Sequence, residues 1–202
     1  MKTETWILIG GAAVALVLAL ILVRVIFAWN ERRRGVDGIN RTGRLLRRFA
    51  GIRRFQVLSG LSLPLRGKAV KIDHILIGFF GIMLVTVRNA KGTVYGGGRD
   101  KNWVQVVTKH EQEKRGTFPN PIPENQEALE AVRQVLLDNK VYKIPIENYI
   151  VFANKKAVLN IERGLPVMTF SQFKKLLKRA KYSDDGNTDV EQIAKLLTEA
   201  AR

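Results

Sequence analysis

KIDHILIGFFGIMLVTVRNAKG, Lys71 to Gly92, decides how the rest of the chain is read. Two runs rich in isoleucine, leucine and valine, VKIDHILIG and GIMLVTVR, flank the turn GFFG. That is the pattern of two apolar strands joined as a hairpin. Alternate side chains of a strand share a face, so Asp73 falls in with Ile75 and Ile77, and Thr86 with Arg88. Burying an unpaired carboxylate is costly, so Asp73 needs a partner. Either it is a metal ligand or phosphate-facing acid, or it forms an ion pair with Arg88 or Lys71 at the sheet edge.

Outward from the hairpin the periodicity alternates between helix and strand. TGRLLRRFAGI predicts a short amphipathic helix on Leu45, Leu46 and Phe49, and FQVLSGLSL a strand. After the hairpin, GTVYG reads as a short strand and GGGRDKN as a glycine-rich turn. ENQEALEAVRQVLLDN places Ala128, Leu129, Val132, Val135 and Leu136 on one helical face. IENYIVFAN and AVLNIE read as strands and FSQFKKLLKRAK as a basic amphipathic helix. Thr188 and Glu191 have capping-box spacing before a last helix, VEQIAKLLTEA. The order predicts an α/β domain with a mixed central sheet flanked by helices.

The first thirty residues differ in kind. Ile7 to Val23 is apolar and uncharged, and the run continues past Arg24 to Ala28. A helix rises about 1.5 Å per residue, so about 20 residues cross a hydrocarbon core. Arg24 can snorkel to the headgroups, and Trp6 and Trp29 bracket the run as interfacial tryptophans do. A cleaved signal peptide would need a basic leading region and a small-residue cleavage site; only Lys2 precedes the run, offset by Glu4, and FAWNERRR is a poor cleavage site. Residues 7–28 are therefore expected to span a membrane once. Arg32, Arg33, Arg34, Arg41, Arg44, Arg47 and Arg48 follow the run, which orients the domain to the cytoplasmic side of the cell membrane.

The whole chain has 202 residues and a formal charge of +16, so its partners are expected to be polyanions, nucleic acid or anionic lipid. Without cysteine it has no disulfide, thiolate ligand or cysteine nucleophile. Gly96, Gly97 and Gly98 lack the Gly-Lys-Ser/Thr ending of a phosphate loop. In YSDDGN, a calcium loop would require an acid where Lys181 stands. His74 and His110 form no metal-spaced cluster. The basic residues singled out for nucleic acid are Lys71, Arg88, Lys91, Lys174, Lys175, Lys178 and Arg179.

FQVLSGLSLPL, KIDHILIGFFGIMLVTVRNAKGTVYG, Trp103, NPIPEN and IENYIVFAN occur in the order and spacing of a known family. From about Gly43 to Phe152 the chain resembles the nuclease-related domain, NERD. The resemblance implies a restriction-endonuclease-like fold and a role in DNA processing. Together with the apolar run and the arginines after it, it divides the chain into a transmembrane anchor over 1–29, a basic connector over 30–42, the nuclease-related domain over 43–160 and a helical extension over 161–202. It places Asp73 on the family's aspartate, Thr86 where a second acid belongs and Arg88 where a lysine belongs. Arg44 stands in place of a helix glutamate, Glu124 on a glutamine and Asn125 on an asparagine. The catalytic positions so implied are Asp73, Thr86, Arg88 and Glu124, with Asp73 the metal ligand if the domain is active.

Mg²⁺ favours anionic oxygens. Thr86 removes one, and an arginine adds repulsion and cannot act as a base. Three readings stay open: a degenerate domain binding nucleic acid or another polyanion, with no cofactor and Asp73 paired to Arg88; a Mg-dependent nuclease in which an acid such as Glu124 moves into the site; or a structural module that meets anionic lipid or protein.

Overall fold

The computed structural model describes residues 36–182 and 186–201. The expected membrane span, residues 7–28, lies outside the described residues. Among those described, no helix is long and apolar enough to cross a membrane.

The chain runs through α1 (Val36–Gly51), β1 (Gln56–Leu65), β2 (Lys68–Gly78), β3 (Gly81–Arg88), β4 (Gly92–Gly96), β5 (Asn102–Lys109) and β6 (Gln112–Pro119). It continues with α2 (Pro121–Asp138), β7 (Ile146–Phe152), β8 (Ala157–Ile161), β9 (Val167–Thr169), α3 (Phe170–Leu176), a 3-10 turn (Ala180–Tyr182) and α4 (Val190–Ala200). The single central sheet expected from sequence is replaced by two mixed sheets. One has five strands in the order β1-β2-β3-β7-β9, and the other four in the order β6-β5-β4-β8. GTVYG, expected as a short strand, belongs to the second sheet.

The five-stranded sheet carries helices on both faces. Ile75, Ile77, Ile82 and Leu84 pack under Ala128, Val132 and Val135 of α2 and Ile193 and Leu197 of α4. Leu76, Met83, Val85 and Val151 pack under Leu46 of α1 and Phe173 and Leu176 of α3. A buried leucine or isoleucine contributes about 1.5–3 kcal/mol, and this sheet buries such side chains on both faces, so the two apolar layers dominate the stability of the unit. Trp103, Phe118, Ile150 and Phe152 join the second sheet to the first, with the Trp103 and Phe152 rings stacked 6.3 Å apart.

Helix ends follow local chemistry. Asn120 caps α2, its Oδ1 accepting from Ile122 N at 2.9 Å, and prolines stand in the first turn where no backbone donor is required. Thr169 and Gln172 form a reciprocal capping box at α3. The box expected at Thr188 and Glu191 does not form: Asp189, one residue later, caps α4 by accepting from Gln192 N. The basic helix expected through Lys181 ends at Leu176 and continues as turns.

One irregularity positions the site. In β1, Leu58 and then Leu61, Leu63 and Leu65 reach the same apolar layer; in β2, Val70 and Ile72 and then Ile75 and Ile77 do so. Both strands change phase where Gly60 faces Asp73, the one residue pair missing from an otherwise continuous register. Gly60 has φ +68°, a conformation that a residue with a side chain adopts only at a cost. Strict alternation therefore fails at Asp73.

Candidate functional site

The β2–β3 ladder runs from Gly78–Gly81 to His74–Val85 and stops short of Asp73. Where the backbones part, the Asp73 carboxylate takes over: its Oδ2 accepts from Val87 N at 2.7 Å. A ladder hydrogen bond is thus replaced by a side chain, which fixes the carboxylate between the two strands. Burial pushes the Asp73 carboxyl above its ordinary value. The Val87 hydrogen bond and the charge of Arg88 pull the other way, and the Glu124 carboxylate adds to the rise.

Thr86 lies one step from this point on β3, 6% exposed, and faces α2. Its hydroxyl accepts from Asn125 Nδ2 at 3.0 Å. Asn125, 1% exposed, also accepts at Oδ1 from Asn148 Nδ2 of β7 at 2.6 Å, and its Nδ2 reaches Tyr149 O at 3.4 Å. Three neutral side chains from β3, α2 and β7 form a hydrogen-bonded chain at the position where the resemblance implies a second acid.

Arg88 follows on β3. One guanidinium nitrogen donates to Val87 O at 3.0 Å and another pairs with Glu124 in the first turn of α2. The expected Asp73–Arg88 pair is therefore corrected: the unsatisfied Val87 N–H captures Asp73, and Glu124 captures Arg88. Arg88 is about a quarter exposed and Glu124 over half, so the pair stands at the mouth of the site.

His74, the neighbour of Asp73, points to the opposite face and is 2% exposed. Its Nε2 lies 2.9 Å from Ile39 O in α1, and its Nδ1 2.9 Å from Ser59 Oγ in β1. A carbonyl only accepts, so Nε2 carries the proton and Nδ1 accepts from the serine hydroxyl. Burial draws the His74 pKa below the ordinary value, and the Ile39 bond offsets only part. Gly43 lets α1 approach: a Cβ there would stand 2.8 Å from the imidazole. His74 thus locks α1 to the sheet behind Asp73.

The structure brings Asp73, Thr86, Arg88 and Glu124 together. Arg44 is exposed on α1, and Arg88 and His74 are the cationic influences on Asp73. The basic residues divide between faces. Lys71 and Lys91 are exposed on the strands and loop around the hairpin; Lys174, Lys175, Lys178 and Arg179 project from α3 and its following turn, across the sheet from α2. The Asn125–Asn148 link and the role of His74 escape sequence reasoning. The signal for Asn148 was a polar residue inside the apolar strand IENYIVF.

The donor set does not suit Mg²⁺, which takes hard, mostly anionic oxygens. Asp73 is bound to a backbone amide, Glu124 to a guanidinium, and Thr86 is neutral and bonded to an amide. Among the described residues, no three His, Asp or Glu side chains converge as a metal-binding group. Away from this cluster, the Glu147 carboxylate accepts from Tyr182 OH at 2.5 Å and Tyr149 OH at 3.0 Å and pairs with Lys181. Burial would raise its pKa, but these partners lower it on balance; the group holds the 3-10 turn to β7.

The profile of the nuclease-related domain matches residues 34–153, more than half of the chain. An uncharacterized protein of Bacillus anthracis is 29% identical over 70 residues, covering 35% of this chain and 31% of that protein. The chain thus covers under a third of that relative's length. No solved structure matches.

Proposed function

We propose, from the premise that the chain belongs to the nuclease-related domain (NERD) family, that its domain is a degenerate nuclease fold that binds a nucleic-acid backbone without cutting it. The observation that carries this reading is the engagement of both carboxylates of the cluster, Asp73 by Val87 N–H and Glu124 by Arg88. Metal-assisted hydrolysis needs carboxylates free to hold the ion. An arginine at the mouth of the cleft can instead grip a phosphate with two hydrogen bonds, in competition with Glu124. The hairpin that opens at Asp73, on a mixed sheet with helices on both faces, supports a restriction-endonuclease-like reading. The apolar run 7–28 and the arginines after it support a single-pass anchor with the domain cytoplasmic.

The test uses the full chain in mild detergent. Anisotropy of labelled duplex DNA is titrated across a salt series in Mg²⁺ and in EDTA, with supercoiled plasmid incubated in parallel. The expected result is binding that weakens steeply with salt, is indifferent to Mg²⁺ and leaves plasmid intact. The second reading, an active nuclease, is favoured by the reach of the Glu124 charge to Asp73. Plasmid nicking that disappears in both Asp73→Ala and Glu124→Gln would establish it in place of the first.

A further inference from the structure

On the face of the sheet away from the Asp73 cluster, α1 and α3 leave a cleft of about 460 Å³ between them. Its floor is apolar, made by Leu45, Phe49 and Leu177. Ile52, in the turn after α1, stands at its edge 78% exposed. The rim is cationic: Arg48 and Arg53 on one side, Lys174, Lys175 and Lys178 on the other. None of the described residues lining the cleft is acidic, and none of the five cations has a carboxylate within ion-pair distance among the described residues. Water gains nothing from an exposed isoleucine, and five cations gathered on one rim repel one another. The two features together describe a surface complementary to something both anionic and oily.

We infer that this cleft docks on the anionic headgroup layer of a phospholipid membrane, with Ile52 entering the acyl boundary and the rim cations on lipid phosphates. Charge complementarity excludes a neutral apolar partner. The apolar element discriminates against nucleic acid, whose backbone offers no contact for an aliphatic tip and whose bases need open aromatic faces. Those faces are taken: the Arg53 guanidinium lies 4.2 Å from the Phe49 ring centre, and Arg41 and Lys174 flank Phe170 at 5.8 and 5.4 Å. An interfacial surface of this kind gains from apolar insertion and cationic attraction together. Sequence position agrees, since only residues 29–35 separate α1 from the apolar run that ends at Ala28. In that respect the inference rests on the proposed anchor; the cleft itself does not.

Because the chain has no cysteine, Ile52→Cys gives a single attachment point for an environment-sensitive fluorophore. The labelled full chain is reconstituted with vesicles of phosphatidylcholine alone and of phosphatidylcholine with phosphatidylglycerol. The expected result is a blue shift, and quenching by lipids spin-labelled near the headgroup, only with phosphatidylglycerol. The combined variant Arg48→Glu, Lys174→Glu, Lys178→Glu is expected to weaken the lipid-dependent signal by roughly a hundredfold in required anionic lipid. Flotation with phosphatidylcholine vesicles reads the anchor separately, and its failure leaves the fluorophore readout intact. No shift with phosphatidylglycerol at low salt overturns the inference. So does an equal shift with both lipids, or a shift produced by duplex DNA and not by vesicles.

Discussion

Replacing Asn125 by alanine tests whether a neutral hydrogen-bond network holds the centre of this domain where an acidic one would stand. The amide serves Thr86, Asn148 and Tyr149 O from a position 1% exposed. Alanine strips the Thr86 hydroxyl and the Asn148 amide of their shared partner. A buried polar group left unpaired costs about 1–3 kcal/mol. Thr86 can rotate its hydroxyl and half-buried Asn148 can recruit water, so each falls toward the low end of that range. The void left by the amide adds to this, and the sum is about 3 kcal/mol. In a domain of this size each kcal/mol moves the midpoint by about 2–4 °C, so thermal unfolding should fall by roughly 10 °C. The assay is circular dichroism melting of the full chain in mild detergent, with Asn148→Ala and the double variant completing a cycle. Residues that share a hydrogen bond should show coupling of about 1 kcal/mol or more. An Asn125→Ala loss below about 0.5 kcal/mol, or strict additivity with Asn148→Ala, would refute the reasoning.

Four further outcomes are expected. A raised Asp73 pKa means that its stability contribution is present below the unfolded carboxyl value and lost as pH rises through the folded one; Asp73→Asn, which keeps an acceptor for Val87 N–H, should be at least as stable as the parent at pH 7, and urea titrations at pH 7 and pH 4 should show the difference shrinking on acidification. His74 has a lowered folded pKa, so its contribution is present above the unfolded histidine value and lost as pH falls through the folded one; melting points taken from pH 7 to pH 5 should fall less steeply in His74→Gln than in the parent. Freeing Arg88 by Glu124→Gln should tighten duplex DNA binding by about two- to fivefold, the reach of a partly exposed pair, and unchanged anisotropy titrations would deny Arg88 a phosphate role. Thr86→Glu with Arg88→Lys restores an acid and removes the guanidinium that engages Glu124; calorimetry should record Mn²⁺ binding above that of the parent, and equal heats would place the obstacle elsewhere.

The hairpin was legible because its chemistry is dense: apolar runs on both sides, a glycine turn and a lone carboxylate. β5 and β6 were not. β6, QEKRGTFP, is exposed along nearly its whole length and sits at a sheet edge, where no apolar alternation is required. β9 has three residues, too few for any period. GTVYG was legible as a strand but not as a member of a second sheet, because its parallel partner β8 lies more than fifty residues away. At the site, the residue types came from the family pattern while their pairings did not. Opposite charges on neighbouring positions implied an Asp73–Arg88 bond; the unpaired Val87 N–H, which only the parting of two strands creates, claimed the carboxylate instead. On α2 the core face was legible: Leu129 packs against the core at its margin, half-buried, while Ala131, which the pattern did not mark, is fully inward.

The order in which strands join the two sheets bears on synthesis of the chain. β7, β8 and β9 enter the first, second and first sheet in turn. Until residue 146 emerges from the ribosome, β3 presents an unpaired apolar edge, and β4 keeps one until β8 follows. Both edges are templates for pairing with another nascent chain. The last third of the polypeptide therefore acts as a double closure, arriving after nearly all of the aggregation-prone surface has been made. A messenger truncated before β7 would yield a chain with both of these edges unpaired, and cells would be expected to clear it as insoluble material.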